Sequence, residues 1–234
     1  MITIEDADFA EFSLTEGDIA VPVEIFLAKG STEPQITVYE PFKADAEEFL
    51  SRYGNDPFSG DAIAFWRERL TAPMKDYGLS PTKDADTFIR IFTLSDAAFL
   101  NRERILPNTH IVSGQDDLAS MQNLTTHDLE MDAEDPDDIS AIAIAEGKIA
   151  AYATLNDAVF GEDEMEISVE CAPAFRGCGL ASSCVAALSG ELLRRGYTVS
   201  YKCRSRNIAS ARVAEKAGFR ETGKSYSFVC YRNL

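Results

Sequence analysis

Histidines and metal-binding cysteine patterns are scarce in this sequence. Its 234 residues include two histidines and five cysteines, and no two cysteines form a Cys-x-x-Cys pair. Paired zinc-binding spacing is absent, so we predict no metal site and reduced, mostly buried thiols. No apolar run approaches the roughly 18 residues of a membrane span, and the N-terminus lacks the basic start and apolar stretch of a signal peptide. We therefore expect a soluble, cytoplasmic protein without membrane contacts.

Positive charge is also sparse, and its distribution is uneven. The chain has 22 Lys and Arg against 39 Asp and Glu, a formal net charge of −17, which argues against nucleic acid as a partner. Residues 174–234, however, carry eleven cations and only three acids, whereas the rest carries eleven cations and 36 acids. A basic end on an acidic protein predicts a site for one polyanionic ligand. A solvated basic face is the alternative interpretation.

Hydrophobic periodicity predicts an α/β protein with a mixed sheet and helices packed on it. In the N-terminal part, helical spacing of Ile63, Trp66 and Leu70 marks one helix, and capping and acidic residues from Ser95 predict another. The predicted strands cover 19–28, 36–40, 87–94, 109–114, 139–145, 148–155, 164–172, 197–203 and 225–231, and the other helices cover 44–53, 115–124, 179–195 and 207–218. We divide the chain into a smaller accessory α/β region, 1–106, and a second region, 107–234.

The junction at residues 169–188, VECAPAFRGCGLASSCVAAL, joins a strand to a helix through a proline turn and two spaced glycines. Backbone N–H groups at such a helix start bind anions. A P-loop is excluded because no lysine follows Gly179, and a dinucleotide fingerprint is weak because a serine stands at its third glycine position. The remaining pattern, Arg176-x-x-Gly179-x-Ala181, predicts a pyrophosphate held by the N–H groups of residues 177–182. A plain glycine turn before a helix is the alternative.

Two motifs in residues 107–234 resemble those of the GNAT superfamily of N-acetyltransferases. Arg176-x-x-Gly179-x-Ala181 is similar to the acetyl-coenzyme A (acetyl-CoA) loop of that family, and NIASARVAEKAGF, residues 207–219, is similar to its later Asn-x-x-Ser helix. The resemblance implies a GNAT fold at the C-terminal end and acetyl-CoA as cofactor. We expect the smaller α/β region that precedes this fold, 1–106, to shape the acceptor side of the site. It also implies an N-acetyltransferase that acts on a primary amine, and the acidic body favours a cationic small molecule or peptide.

The resemblance also implies cofactor-binding positions. Backbone groups of Val169, Glu170 and Cys171 should pair with the pantetheine arm like an added strand. The pyrophosphate should be held by the loop and first helical turn, which comprise Arg176, Gly177, Cys178, Gly179, Leu180, Ala181 and Ser182. Asn207 should reach the pantetheine from the other wall, although an Asn before a helix is also an ordinary N-cap.

The proton donor departs from the family pattern. Seven residues after that Asn, many GNAT enzymes carry a tyrosine that protonates the departing thiolate, and here that position is Ala214. We predict Tyr226 as the donor, with Tyr201 as the other candidate. Lys202 is a second departure, because some relatives carry a carboxylate base there.

We predict that Glu170 is the catalytic base, directly or through water. Glu166, Ser168 and Glu170 alternate with apolar residues, so they share one face of the strand. A solvent-facing Glu is the alternative, and Glu166 or His127 would then be the next candidate. The alternatives to an enzyme are a catalytically inactive acyl-CoA-binding sensor and an interaction protein, and a homodimer is one option for the assembled state.

Overall fold

The computed structural model describes residues 1–5, 19–82, 87–113, 139–156 and 163–232. The chain forms two compact units. The first unit comprises residues 1–90, 204–206 and 222–234, and the second comprises residues 91–203 and 207–221. The predicted division after residue 106 lies later in the chain, and the structure assigns most of the last strand to the first unit. That residues 107–234 act as the transferase part stays a prediction.

The described residues form eleven strands and four α-helices, besides three short 3-10 helices. In chain order, the strands are β1 (Ile2–Glu5), β2 (Ile19–Ala28), β3 (Gln35–Tyr39), β4 (Leu79–Pro81), β5 (Ile89–Leu94), β6 (Thr109–Ser113), β7 (Ile139–Ala145), β8 (Lys148–Leu155), β9 (Glu164–Cys171), β10 (Thr198–Arg204) and β11 (Arg220–Arg232). The helices are α1 (Lys43–Tyr53), α2 (Gly60–Asp76), α3 (Leu180–Arg194) and α4 (Ile208–Ala217). The predicted α/β class with a mixed sheet is confirmed.

The first unit packs two helices against strands in the order β1-β3-β2-β11, with β4 paired to β11. β1 runs parallel to β3, whereas the other pairs are antiparallel. α2 begins after Ser59, whose hydroxyl oxygen accepts a hydrogen bond from Ala62 N at 3.3 Å, as an N-cap does. Ile63, Trp66 and Leu70 are buried, which confirms the predicted apolar face of this helix.

The second unit carries the strand order β5-β10-β9-β8-β7-β6. β9 and β10 are parallel, and the pairs from β6 to β9 are antiparallel. Helices α3 and α4 pack on a core rich in small side chains. Cys184 of α3 lies close enough to the buried Ala151 of β8 for its Sγ to donate to the Ala151 carbonyl at 3.6 Å. Leu180, Cys184, Leu188 and Leu192 recur at helical spacing along α3, and all four are buried against this core.

The predicted helix from Ser95 is wrong. The segment begins with turns, in which the Asp96 carboxylate accepts a hydrogen bond from Ala98 N at 2.8 Å, and a short 3-10 helix follows at Arg102–Arg104. Asn101 N donates instead to Ala217 O of α4, at 3.0 Å. The local Asp turn and the long-range bond thus satisfy backbone groups that a helix would otherwise use.

The hairpin of β7 and β8 has the bounds that the sequence predicts, 139–145 and 148–155. Its turn residues, Glu146 and Gly147, both have positive φ, as a tight hairpin turn requires. The predicted helix at 115–124 and the reserve base His127 lie outside the described residues. No helix within the described ranges combines the length and apolar character needed to cross a membrane.

Candidate functional site

A cleft opens in the second unit where β9 and β10 diverge. The parallel register between these strands runs from Glu164, opposite Thr198, to Ile167, opposite Tyr201. Beyond Ile167, β9 continues to Cys171 and its described pairing is with β8. The other edge of β9 therefore faces the cleft instead of a neighbouring strand.

The backbone of Val169 points into this cleft. Ala172 N donates to Ala150 O at 2.9 Å, which shows that β8 bonds the even-numbered residues at this end of β9. Antiparallel neighbours alternate between bonded and non-bonded positions, so Val169 and Cys171 direct their N–H and C=O groups away from β8. By the same alternation, the N–H and C=O groups of Glu170 point toward β8. Two of the three predicted strand positions thus present backbone groups to the cleft.

The chain passes from β9 into α3 through two glycines with left-handed backbone conformation. The φ angle is +81° at Gly177 and +88° at Gly179, which favours glycine, and a Cβ at either position would meet no atom within 4 Å. Ser183 N donates to Gly179 O at 3.0 Å, so the N–H groups before Ser183 precede the first helical bond. Together with the positive end of the helix dipole, they give this loop the geometry that anion binding requires.

Three exposed cations line the cleft, namely Arg176, Arg212 and Lys216. Arg176 Nε also donates to Cys171 O at 3.3 Å, which ties the loop to the end of β9. Among the described lining residues, the single acid is Glu170. The lining therefore carries an excess of positive charge, which favours an anionic ligand.

Helix α4 forms the opposite wall. Asn207 is its N-cap, because Asn207 Oδ1 accepts a hydrogen bond from Ser210 N at 3.1 Å. Asn207, Ser210 and Val213 recur at helical spacing and all line the cleft. The N-cap interpretation of Asn207 is confirmed, and its binding role stays a prediction.

The cleft has a volume of about 540 Å³, within the range of small-molecule and cofactor sites. It brings together nearly all predicted cofactor-binding positions, namely Val169, Cys171, Arg176, Gly177, Gly179, Leu180, Ala181, Ser182 and Asn207. Cys178 lies exposed on the same loop and is not among the described lining residues.

Tyr201 lies at the point where the two strands diverge and lines the cleft, although it is only 2% exposed. Its Oη lies 2.7 Å from Ser210 Oγ, and its ring packs edge-on against Phe219, with 6.0 Å between ring centroids. Burial raises the pKa of Tyr201 to about 12, although the Ser210 hydrogen bond acts in the opposite direction. The phenol is therefore a neutral hydrogen-bond donor at physiological pH.

Glu170 lines the cleft with an exposed side chain. Tyr152 Oη donates to Glu170 Oε2 at 3.2 Å, which holds the carboxylate at the rim. The exposure of Glu170 agrees with the interpretation of a solvent-facing side chain, whereas its position in the cleft lining agrees with that of a catalytic base. Its catalytic role stays a prediction.

Glu166 differs from Glu170 because it is buried. Asn156 Nδ2 donates to Glu166 Oε1 at 3.1 Å, and Lys202 Nζ lies 2.8 Å from Oε2. The sequence does not predict this ion pair between Glu166 and Lys202. In the sequence, Lys202 stands out only as a departure from the family pattern. The pair depends on the register of two strands that are distant in sequence, which local patterns do not reveal.

The predicted proton donor Tyr226 belongs to the first unit. It lies opposite Ile25 of β2 and is fully buried in that unit's core with Phe228. Its role as donor stays a prediction. Ala214, at the position of the family's tyrosine, is fully buried in the core of the second unit.

All five cysteines are free thiols. Cys184, Cys203 and Cys230 are buried, Cys171 is half-buried and Cys178 is exposed, which confirms the prediction of mostly buried thiols. Burial raises the pKa of Cys171 and Cys184, and that of Cys230 to about 12. No three His, Cys, Asp or Glu side chains of the described residues lie together as a metal site would require.

Comparison with family models finds a match in the C-terminal part. Residues 141–228 match the model of a family described as GNAT acetyltransferase. The match includes both sequence motifs and confirms the resemblance to the GNAT superfamily, and with it acyl transfer and acetyl-CoA as the cofactor that such enzymes use. No curated protein matches the chain.

Several solved structures are similar to this chain. A GCN5-related N-acetyltransferase from Kribbella flavida is 12% identical, with 94% of this chain and 90% of that chain covered and a TM-score of 0.50. A GCN5-related N-acetyltransferase-like protein from Streptococcus suis 89/1591 is 17% identical over 96% of this chain and 94% of that chain, with a TM-score of 0.49. A candidate acetyltransferase, yncA from Salmonella typhimurium with its cofactor acetyl-CoA, is 19% identical over 53% of this chain and 94% of that chain, with a TM-score of 0.38. At such identities, the Kribbella likeness shows the fold alone.

Proposed function

We propose that this protein, which contains a GNAT acetyltransferase domain, is an N-acetyltransferase that transfers the acetyl group of acetyl-CoA to a primary amine of a cationic small molecule or peptide. The observation that carries the proposal is the cleft between β9 and β10, which ends at the glycine loop before α3. The end at the glycine loop suits phosphates, and the opposite end narrows where β9 and β10 are still paired. An extended acetyl-CoA molecule therefore fits with its thioester at this narrow end.

The wide end of the cleft suits the phosphates of acetyl-CoA. The N–H groups of residues 177–182 and the dipole of α3 hold the pyrophosphate. Arg176, Arg212 and Lys216 supply compensating positive charge around it. The space beside Gly177 and Gly179 is open, so a phosphate can approach the backbone of the loop closely.

The edge of β9 suits the pantetheine arm. Val169 offers its backbone N–H and C=O groups and Cys171 offers its N–H, as an added strand would require. Asn207 lines the opposite wall at the start of α4. From Cys171 back to Ile167, the strand spans about 13 Å. An arm extended along this edge therefore brings the thioester to the narrow end of the cleft.

The reaction requires a neutral amine and a site for the oxyanion. Because a protonated amine has a pKa of about 10, a base must remove a proton before the nitrogen attacks. Glu170, at the rim and next to Val169 in the chain, takes this proton directly or through water. The Val169 N–H, which points into the cleft, donates to the oxyanion that develops on the acetyl carbonyl.

The charge of the chain supports a cationic acceptor. Outside residues 174–234, acids outnumber cations by 36 to eleven. This excess of negative charge raises the local concentration of cations and speeds their encounter with the protein. The cationic lining of the cleft favours the anionic cofactor, and the acidic residues outside 174–234 favour a cationic acceptor.

An amine panel tests the proposal. The purified chain is mixed with acetyl-CoA and, separately, a polyamine, an aminoglycoside, a peptide with a free N-terminus or an uncharged alcohol. We expect coenzyme A release that depends on an amine, together with a product that is heavier by one acetyl group in mass spectrometry. Binding of acetyl-CoA without release for any amine would contradict the proposal and indicate a sensor.

A further inference from the structure

The narrow end of the cleft contains a phenol. Among the described lining residues, the single tyrosine is Tyr201, and it stands opposite Ile167 at the last described pair of the β9–β10 register. The free backbone edge of β9 begins just beyond this pair, at Val169. A thioester that follows this edge to its end therefore meets the Tyr201 hydroxyl.

We infer that Tyr201 donates the proton to the departing thiolate and that Ser210 supports it through a hydrogen bond. The inference rests on the proposed function and deepens it, since it assigns the proton donor from side chains that line the cleft. The 2.7 Å separation of Tyr201 Oη and Ser210 Oγ joins β10 to α4 across the cleft wall.

The geometry of α4 explains how the phenol can come from strand β10 and not from position 214 of the helix. Helical side chains lean toward the N-terminus, so a side chain at position 214 would extend over the turn that contains Ser210. Position 214 is a buried alanine, which is too short to reach that turn. Tyr201 reaches it from β10 instead.

The surroundings of Tyr201 keep its proton in place until the reaction. Burial holds the phenol neutral, and the titratable neighbour on its own strand, Cys203, acts in the same direction. Ser210 from α4 and the Phe219 ring complete the contacts. A neutral phenol donates a hydrogen bond to an anionic sulfur as that charge develops.

The step balances without a further reactant. The amine nitrogen bonds to the acetyl carbon, the carbon–sulfur bond breaks, and its electron pair goes to sulfur. The proton of Tyr201 Oη moves to the sulfur, while Ser210 Oγ donates to the resulting phenolate. The proton lost by the amine returns to the phenolate through solvent, which restores Tyr201.

Kinetics and binding with the full chain test the inference. Tyr201→Phe keeps the ring and its packing but removes the proton, so we expect kcat to fall by roughly 10²–10⁴-fold with unchanged affinity for acetyl-CoA. Ser210→Ala should lower kcat by less, because it removes the hydrogen bond to the Tyr201 hydroxyl but leaves that hydroxyl in place as the proton donor. Tyr197→Phe is the matched control, since Tyr197 packs against the same core and is outside the described cleft lining. It should keep the wild-type rate.

The choice of acetyl donor separates a proton donor from a structural residue. With 4-nitrothiophenyl acetate, whose acidic thiol leaves without a proton, the loss caused by Tyr201→Phe should largely disappear. An equal loss with both donors, a wild-type rate in Tyr201→Phe, or loss of acetyl-CoA binding in that variant would each overturn the inference while the proposed function stands. If the wild-type chain releases no coenzyme A with any amine, the proposed function fails and the inference fails with it.

Discussion

At the scale of single residues, one strand gives two glutamates different chemistry. Glu170 is exposed and receives one hydrogen bond, from Tyr152, whereas Glu166 is 7% exposed and lies 2.8 Å from the ammonium of Lys202. A buried carboxylate that is already paired with a cation would lose that pairing if it accepted a proton. No cation pairs with Glu170 among the described residues, which favours it over Glu166 as the proposed base.

Changing Glu170 to Gln should separate binding from turnover. The substitution keeps the shape of the side chain, and the strand hydrogen bonds belong to the backbone, so affinity for acetyl-CoA should stay the same. Turnover should fall by roughly 10²–10⁴-fold, because the proton acceptor is lost. Glu164→Gln, on the same strand but outside the described lining, is the control. Near-normal turnover in Glu170→Gln would support the solvent-facing interpretation and direct the test to Glu166.

Tyr201 should also make the folded state sensitive to alkaline pH. Its pKa is about 12 in the folded chain and about 10 in an unfolded chain. Below pH 10 both states hold the proton, so stability is unaffected. Between pH 10 and 12 the unfolded chain loses the proton first, and the free energy of unfolding should fall by about 2–3 kcal/mol.

Urea unfolding at several pH values measures this effect. The Tyr201→Phe variant should lose less stability between pH 10 and 12 than the wild type, because it has no proton to hold. Tyr197→Phe should follow the wild-type curve. Parallel curves for wild type and Tyr201→Phe would show that the phenol does not titrate as its burial implies.

The residues that the sequence predicted correctly are those whose signal is local. Asn207 begins a helix and caps it, and Gly177 and Gly179 adopt the left-handed conformation that their loop needs. The contact of Tyr201 with Ser210 joins residues in different elements. It arises from packing of α4 on β10, which no short-range pattern specifies.

At the scale of elements, the site depends on where two strands stop pairing. Both strands and α3 could be predicted from apolar periodicity and from the glycine loop. The divergence of β9 from β10 after Ile167 could not, because strand register is set by the whole sheet. The wrong prediction of a helix from Ser95 has the same cause, a long-range interaction. Asn101 N donates to Ala217 O of α4 and not to a carbonyl within its own segment.

The loop before α3 gives the sharpest test at this scale. Gly179→Asp places a carboxylate in the space beside the first turn, where it repels a phosphate. Acetyl-CoA at 100 times its Kd would stabilise the wild-type chain by about 2.7 kcal/mol and raise its Tm. We expect no such rise in Gly179→Asp, as measured by thermal unfolding with and without acetyl-CoA.

Gly147→Asp is the matched control for this prediction. Gly147 also has a positive φ, +74°, with no atom within 4 Å of a Cβ, but it lies in the β7–β8 turn, outside the described lining of the cleft. This variant should keep the rise in Tm. NAD and ATP should give no rise in the wild type, and an equal rise with NAD would contradict acetyl-CoA as the ligand of the loop.

At the scale of the whole molecule, the chain does not divide where its motifs suggest. The family match covers residues 141–228, yet the residues from Thr222 onward belong to the first unit. A boundary in the sequence is usually marked by a linker of distinctive composition. β11 has none, because it is one continuous strand whose first residues, Arg220 and Glu221, belong to the second unit and whose remainder belongs to the first.

Removal of residues 1–106 should therefore damage the fragment 107–234. In the full chain, Tyr226 and Phe228 are fully buried, opposite Ile25 and Val23 of β2. Without β2 both aromatic side chains become exposed, and burial of each contributes about 2 kcal/mol. That sum is a large part of the 5–15 kcal/mol that typically stabilises a domain. We expect the fragment to unfold at a lower temperature than the full chain and to bind a hydrophobic dye.

A shorter fragment, 107–221, separates exposed aromatic surface from general loss of structure. It lacks the same N-terminal residues but also lacks Tyr226 and Phe228, so it should bind less dye and stay dispersed at higher concentration than 107–234. Calorimetry and dye fluorescence on both fragments measure the difference. If 107–234 instead unfolds cooperatively at the temperature of the full chain and binds acetyl-CoA, the last strand does not need β2, and the transferase part is independent. Equal dye binding by both fragments would place the exposed apolar surface elsewhere in the second unit.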